Sequence, residues 1–141
     1  MSLYIDTSCL WKLLFPEPES ERTRTIIDTE PSVLLSYLTI MEVEQQLRAS
    51  RLGRRLTPSD FRHLSAALAG LCSTPPFVIK ATSHDLAQIA RRHATTGPYC
   101  QTADRLHLAA MEALGAKRLF TNDDTQAAAA RALGYGVVLP R

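Results

Sequence analysis

Short apolar runs alternate along the chain with longer segments whose apolar residues recur at helical spacing. The short runs predict five strands, at residues 3–5, 33–36, 77–80, 118–121 and 137–139. Helices are predicted between these strands, and Pro or Gly residues stand near several helix ends. Strands that alternate with helices favour a parallel sheet that is covered by helices on both faces. We therefore predict an α/β fold with three layers, α/β/α, around a central parallel five-stranded sheet.

The helix before the fourth strand is the most informative segment. Its apolar residues lie on most sides, so we expect a largely buried helix with Thr102 as its N-cap and Gly115 at its end. Asp104 lies in its first turn, where the helix dipole favours an acid. Asp123 follows the next strand and also suits the N-cap of an Ala-rich helix, with Gln126 three residues on. Each carboxylate alone therefore has an ordinary structural explanation.

Two more carboxylates follow the first two strands. Asp6 comes directly after the first strand and suits a helix N-cap, a role that Ser8 could share. Glu42 lies three residues after Thr39, which is the spacing of a capping box, so a helix is predicted to open there. Taken singly, these acids are also explained by local structure.

The four acids together favour a second interpretation. In an open α/β sheet, the ligand site lies outside the carboxyl ends of the strands. Helix N-termini at that edge normally attract anions, but this chain supplies carboxylates there. Clustered carboxylates do not all stay ionised without a cation, and Mg²⁺ or Mn²⁺ prefers oxygen ligands. The pattern thus predicts a metal site at Asp6, Glu42, Asp104 and Asp123.

The composition of the chain limits the number of domains and the cellular compartment that we expect. A chain of 141 residues with 45% hydrophobic content predicts one domain, residues 1–141. No apolar run approaches the roughly 20 residues of a membrane span. The three cysteines are widely spaced, which favours a reducing, cytoplasmic setting over a disulfide or zinc framework. If a metal neutralises the four acids, 16 basic residues remain against 10 acidic ones, so the rest of the chain carries a net positive charge.

Other types of strand-end aspartate site do not fit. A haloacid dehalogenase-type phosphatase requires a second Asp two residues after the first, where this chain has Ser8. The Gly-rich motifs of dinucleotide and P-loop sites are missing from the sequence. His107, one turn after Asp104, either orients that carboxylate or is an ordinary core residue, and we favour the core residue.

An ordered set of segments carries a family resemblance. The segments are YIDTS at residues 4–8, SYLTIME at 36–42, ADRLHLA at 103–109, TND at 121–123 and ARALG at 130–134. In order and spacing they resemble the PIN-domain nucleases of the VapC toxin type, over nearly the whole chain. Gln126 departs from the pattern, since the family usually has an apolar residue there.

The resemblance implies specific site residues and a sheet topology. It assigns the metal and the catalysis to Asp6, Glu42, Asp104 and Asp123. Ser8 and Thr121 are implied as supporting hydroxyls. The implied strand order is 3-2-1-4-5, which places the ends of the first and fourth strands side by side.

The resemblance also implies an activity and partners. The expected protein is an endoribonuclease that uses Mg²⁺ or Mn²⁺ and is the toxin of a toxin–antitoxin pair. Its expected partners are RNA, a small antitoxin with a basic C-terminal segment, and a second copy of the chain. Candidates for the dimer contact are Trp11, Leu14 and Phe15, with the helix at residues 39–52. These first-helix residues suit the core equally well, and for Trp11 we favour the core. Two alternatives remain open: a non-catalytic binding module with this fold, and a structure-specific DNA nuclease.

Overall fold

A computed structural model describes residues 2–82, 85–95 and 97–141 of the chain. Over these residues it contains one five-stranded sheet, in which every neighbouring pair is parallel. The strands are β1 (Leu3–Ile5), β2 (Val33–Ser36), β3 (Phe77–Lys80), β4 (Arg118–Phe120) and β5 (Gly136–Val138). Their order is β3-β2-β1-β4-β5, which confirms the predicted topology. The carboxyl ends of β1 and β4 therefore lie next to each other at the centre of the sheet.

Helices cover both faces of the sheet. They are α1 (Thr7–Leu14), α2 (Ser20–Asp28), α3 (Tyr37–Leu52), α4 (Pro58–Cys72), α5 (Leu86–His93), α6 (Thr102–Leu114) and α7 (Asp124–Ala132). Because strand side chains alternate, Leu3 and Ile5 belong to one apolar cluster with residues of α1 to α4. Tyr4 belongs to a second cluster with residues of α6 and α7. This arrangement confirms the three-layer α/β/α prediction.

Two predicted helix starts are wrong. The N-cap of α6 is Gln101, whose side chain makes no capping hydrogen bond, and Thr102 is already helical. The N-cap of α3 is Ser36, whose hydroxyl accepts a hydrogen bond from the Thr39 backbone N–H. Because Ser36 also ends β2, the chain turns directly from strand into helix. Glu42 consequently lies in the second turn of α3, too far along to complete a capping box.

In the part of the chain that the structure describes, no helix is long and apolar enough to cross a membrane.

Candidate active site

Asp6 lies at the carboxyl end of β1 and is the N-cap of α1. Only 4% of the residue is exposed. Its Oδ2 accepts hydrogen bonds from the Ser8 backbone N–H at 3.3 Å, the Ser8 hydroxyl at 2.8 Å and the Thr121 hydroxyl at 3.1 Å. Because these donors all meet one oxygen, the carboxylate is fixed in orientation and its Oδ1 stays available.

The hydroxyls of Ser8 and Thr121 also join the ends of β1 and β4. The Ser8 hydroxyl accepts a hydrogen bond from the Asn122 backbone N–H at 3.1 Å. The Thr121 hydroxyl accepts one from the Asp123 backbone N–H at 3.1 Å. Thr121 thus contacts both Asp6 and the backbone of Asp123, at the position expected for a supporting residue.

Asp123 follows β4 and is the N-cap of α7. Its Oδ1 accepts a hydrogen bond from the Gln126 backbone N–H at 2.9 Å. The predicted capping role is therefore present in the structure. The second oxygen of the carboxylate is not needed for the cap, so capping and metal binding are compatible functions of this residue.

The Glu42 carboxylate is contacted by two side chains, those of Thr7 and His107. Its Oε1 accepts a hydrogen bond from the Thr7 hydroxyl at 2.8 Å and contacts Nε2 of His107. Burial raises the pKa of the Glu42 carboxyl. The hydrogen bond and charge of His107 and the hydrogen bond of Thr7 lower it, and together they outweigh burial. The net pKa lies below its ordinary value, so Glu42 is ionised at neutral pH.

His107 is a buried core residue, as favoured from the sequence, and the carboxylates that its ring contacts are those of Glu42 and Asp6. The residue is 1% exposed, and its Nε2 lies 3.6 Å from Asp6 Oδ1 as well as against Glu42. Its Nδ1 lies 2.7 Å from the hydroxyl of Tyr4, which lies 2.7 Å from the Ser36 hydroxyl. This buried chain of polar groups fixes the imidazole plane and, through it, Glu42. The sequence contains only a weak signal for it, since a buried tyrosine needs a polar partner.

The pKa of the Asp104 carboxyl is raised mainly by burial and further by nearby negative charges. Those charges are the carboxylates of Asp6 and Asp123, and the resulting pKa is about 6. His107 lowers the pKa and Glu42 adds a smaller increase. The four acids predicted from the sequence therefore lie within one electrostatically coupled cluster.

The cluster fits a divalent cation by its chemistry. Within residues 2–82, 85–95 and 97–141, no three His, Cys, Asp or Glu side chains already form a group that could hold a metal ion. The donors are nevertheless carboxylate oxygens, which Mg²⁺ and Mn²⁺ prefer. Burial and the negative charges of Asp6 and Asp123 raise the pKa of Asp104, and a bound cation would offset both effects. Like Asp6 and Asp123, Glu42 has one oxygen already engaged, since Thr7 and His107 contact its Oε1.

Gln126, the residue that departs from the family pattern, lies directly behind this cluster. It is fully buried, and its Oε1 lies 2.8 Å from the Thr121 hydroxyl oxygen. That hydroxyl has one proton and faces two acceptors, Gln126 and Asp6. Gln126 Nε2 has no hydrogen-bond partner among the described residues. A polar residue at this position therefore competes with Asp6 for the Thr121 proton, unless the amide turns its nitrogen toward Thr121.

Comparison with known proteins identifies the family to which this chain belongs. The model of the PIN domain matches residues 3–132. Ribonuclease VapC46 of Mycobacterium tuberculosis is 30% identical to this chain over an alignment that covers 99% of this chain and 98% of that protein.

Two solved structures are similar to the fold. One is VapC20 of Mycobacterium tuberculosis, which is described as a toxin that cleaves the sarcin-ricin loop. It matches with a TM-score of 0.69 and 18% sequence identity, and the match covers 90% of this chain and 94% of VapC20. The other is a toxin–antitoxin complex from Klebsiella pneumoniae, with a TM-score of 0.65, 21% identity and coverage of 100% and 98%. With the family model matching almost from end to end, the chain belongs to the PIN-domain family and, within it, to the VapC-type ribonucleases.

Proposed function

We propose that this protein is an endoribonuclease that hydrolyses RNA phosphodiester bonds with Mg²⁺ or Mn²⁺ at Asp6, Glu42, Asp104 and Asp123. The observation that carries the proposal is the coupling of these acids, which come from the ends of β1 and β4 and from α3 and α6. Membership of the PIN-domain family, whose ribonucleases generally use divalent metal, supports it.

The side chains have separate functions in this proposal. Asp6, Asp104 and Asp123 hold the ion, and Glu42 completes the set from its position beside His107. A bound divalent ion supplies a water of lowered pKa and positive charge beside the phosphodiester. Ser8 and Thr121 fix Asp6, because their hydroxyls donate to its Oδ2. His107 and Thr7 keep Glu42 ionised and oriented.

RNA is the substrate that the comparisons favour. VapC46, which aligns with 99% of this chain, is named a ribonuclease, and VapC20 is described as a toxin that cleaves the sarcin-ricin loop. The test uses a labelled RNA and a DNA of the same sequence with millimolar Mg²⁺. We expect internal cleavage of the RNA only. Cleavage of DNA alone would favour the structure-specific DNA nuclease, and cleavage of neither would favour the non-catalytic binding module.

We also propose a small antitoxin as the partner that restrains the enzyme in the cytoplasm. The toxin–antitoxin complex among the similar structures supports this proposal. A basic C-terminal segment of the antitoxin would pair its Arg or Lys with Asp6 and Asp104, and the planar guanidinium of Arg suits a carboxylate best.

Co-expression with the adjacent reading frame tests the partner. We expect the neighbouring protein to co-purify and to suppress RNA cleavage. The double variant Asp6→Asn with Asp104→Asn should weaken the complex, because it removes two negative charges that face the basic segment. A neighbouring protein that neither co-purifies nor inhibits would contradict this partner.

A homodimer through α3 is the proposed assembly. Tyr37, Met41 and Leu52 lie on one face of α3 and are 62%, 52% and 78% exposed. The first-helix candidates fit a dimer contact less well, since Trp11 and Phe15 stack at 4.1 Å and pack against the core. Light scattering that shows a monomer at micromolar concentration would contradict the dimer.

A further inference from the structure

A cavity of about 570 Å³ lies between α5 and α6, and it is separate from the four acids. Its walls are mostly apolar, with alanines of α5 on one side and Leu106 on the other. Two cationic side chains, Arg91 and Arg105, also line it. A volume of this size is in the range of small-molecule and subsite pockets.

Arg105 is a buried cation with incomplete hydrogen bonding. Only 7% of the residue is exposed. Its Nη2 donates to the Pro98 carbonyl oxygen at 2.5 Å, whereas Nη1 is buried and has no partner within the described part of the chain. The ion pairs found among those residues do not include Arg105. A buried guanidinium without a counterion is costly, so this cavity favours an anionic occupant.

The N-terminus of α6 adds positive potential at the same place. Its N-cap residue, Gln101, makes no side-chain hydrogen bond to the first turn, and Thr102 at the start of the helix lines the cavity. The first backbone N–H groups of a helix without a cap are free to bind an anion. Arg105 and the first backbone N–H groups of α6 are therefore positively polarised hydrogen-bond donors beside the same cavity.

The cavity adjoins the acid cluster. Arg105 follows Asp104 directly in the first turn of α6. Cys100 lines the cavity, and burial raises the pKa of its thiol. The charge of Arg105 opposes that rise, while the charges of Asp104 and Asp123 add to it. The geometric link between the two sites is α6 itself, since Asp104 of the acid cluster and Arg105 of the cavity are consecutive residues of its first turn.

The aromatic ring of Tyr99 lies at the rim of the same cavity. It is 80% exposed, so its face is open to solvent. Exposed aromatic rings beside positive charge are the usual platform on which proteins stack the bases of single-stranded nucleic acid. A nucleotide carries both an anionic phosphate and a flat base, so it could contact Arg105 in the cavity and the ring of Tyr99 at its rim.

We propose that this cavity is a subsite for an RNA phosphate next to the scissile one, bound by Arg105 and the N-terminus of α6, with a base stacked on Tyr99. The subsite rests on the proposed ribonuclease function. The chain of an RNA would then run from the cation in this cavity to the metal site at Asp104. An acidic protein segment is the competing occupant, but it would leave the exposed ring of Tyr99 without a stacking partner.

The first experiment compares Arg105→Gln with Arg62→Gln, a control that removes an exposed charge on α4. We expect Arg105→Gln to raise KM for RNA by about tenfold or more while kcat changes little, because the lost contact binds substrate rather than the reacting group. The slope of log affinity against log salt should fall by about one, for one lost phosphate contact. An unchanged KM and salt slope, in a protein that cleaves RNA, would overturn the subsite.

A binding measurement without metal tests the subsite independently of the nuclease activity. Inorganic phosphate, 5′-AMP and an acidic peptide are each added as probes to the metal-free protein, and the Tm is measured by thermal melting. Phosphate and 5′-AMP should both raise the Tm of wild type and of Arg62→Gln but not of Arg105→Gln, and 5′-AMP should lose its advantage over phosphate in Tyr99→Ala. If Arg105→Gln does not fold, Tyr99→Ala decides, since an exposed side chain does not hold the fold. Protection by phosphate without any RNA cleavage by wild type would overturn the RNA interpretation, and protection by an acidic peptide instead of 5′-AMP would identify a protein ligand.

Discussion

Asp104→Asn is expected to abolish RNA cleavage and, at the same time, to stabilise the metal-free protein at neutral pH. Cleavage should fall by orders of magnitude, because the amide cannot supply a negatively charged metal ligand. The free energy of unfolding of the metal-free protein should rise, because burial and the charges of Asp6 and Asp123 both disfavour an ionised Asp104 at pH 7. Its pKa in the folded protein is about 6, above the ordinary value of 3.8.

The sign of the pH dependence follows from that raised pKa. A carboxyl whose pKa is higher in the folded state binds protons more tightly there, so its ionisation destabilises the fold as pH rises. The penalty is absent below the ordinary value of 3.8 and complete above about 6. The shift corresponds to at most about 3 kcal/mol of free energy of unfolding. Asn does not titrate, so the variant escapes this penalty.

Urea unfolding in EDTA at pH 4 and pH 7.5 measures this effect. The variant should exceed wild type in stability by more at pH 7.5 than at pH 4. Asp124→Asn is the matched control, since that side chain is 77% exposed beside the same site and should show no such gain. A variant that is less stable than wild type at pH 7.5, or one that still cleaves RNA, would show that Asp104 does not belong to a crowded metal site.

The second large effect concerns the metal and Asp6. Millimolar Mg²⁺ or Mn²⁺ should stabilise wild type by mass action, by about 1.4 kcal/mol when the metal is at ten times its Kd. Asp6→Asn should lose this stabilisation and RNA cleavage together. The variant should still fold, because Asn is as good an N-cap as Asp and its carbonyl oxygen still accepts from Ser8.

Thermal melting with and without metal measures that stabilisation. Asp124→Asn should respond to metal as wild type does, which separates the loss of a ligand from the loss of any nearby charge. A wild-type Tm that does not change at millimolar metal, and matches that of Asp6→Asn in every buffer, would contradict a metal site at Asp6.

The sheet and the acid positions were predictable because both depend on local pattern. Short apolar runs give strands, parallel strands bring their carboxyl ends to one edge, and Asp6 and Asp123 follow such ends. The order of the strands required the family resemblance, since periodicity does not say which strands are neighbours.

The surroundings of the acids were not predictable in the same way. The contact between Tyr4 and His107 joins residues that are 103 positions apart, so the need of a buried tyrosine for a polar partner does not identify which residue that partner is. The capping box at Thr39 failed because Ser36, the last residue of a strand, is also a good N-cap and starts the helix first. The unpaired Nη1 of Arg105 depends on packing between α5 and α6, which sequence spacing does not show.

The most direct measurement is the cleavage of one labelled RNA by wild type, Asp104→Asn and Asp124→Asn, each in Mg²⁺ and in EDTA. We expect internal cuts from wild type and Asp124→Asn in Mg²⁺, and intact RNA from Asp104→Asn and from every protein in EDTA. Equal cleavage in EDTA, or by Asp104→Asn in Mg²⁺, would contradict a metal-dependent ribonuclease site at these four acids.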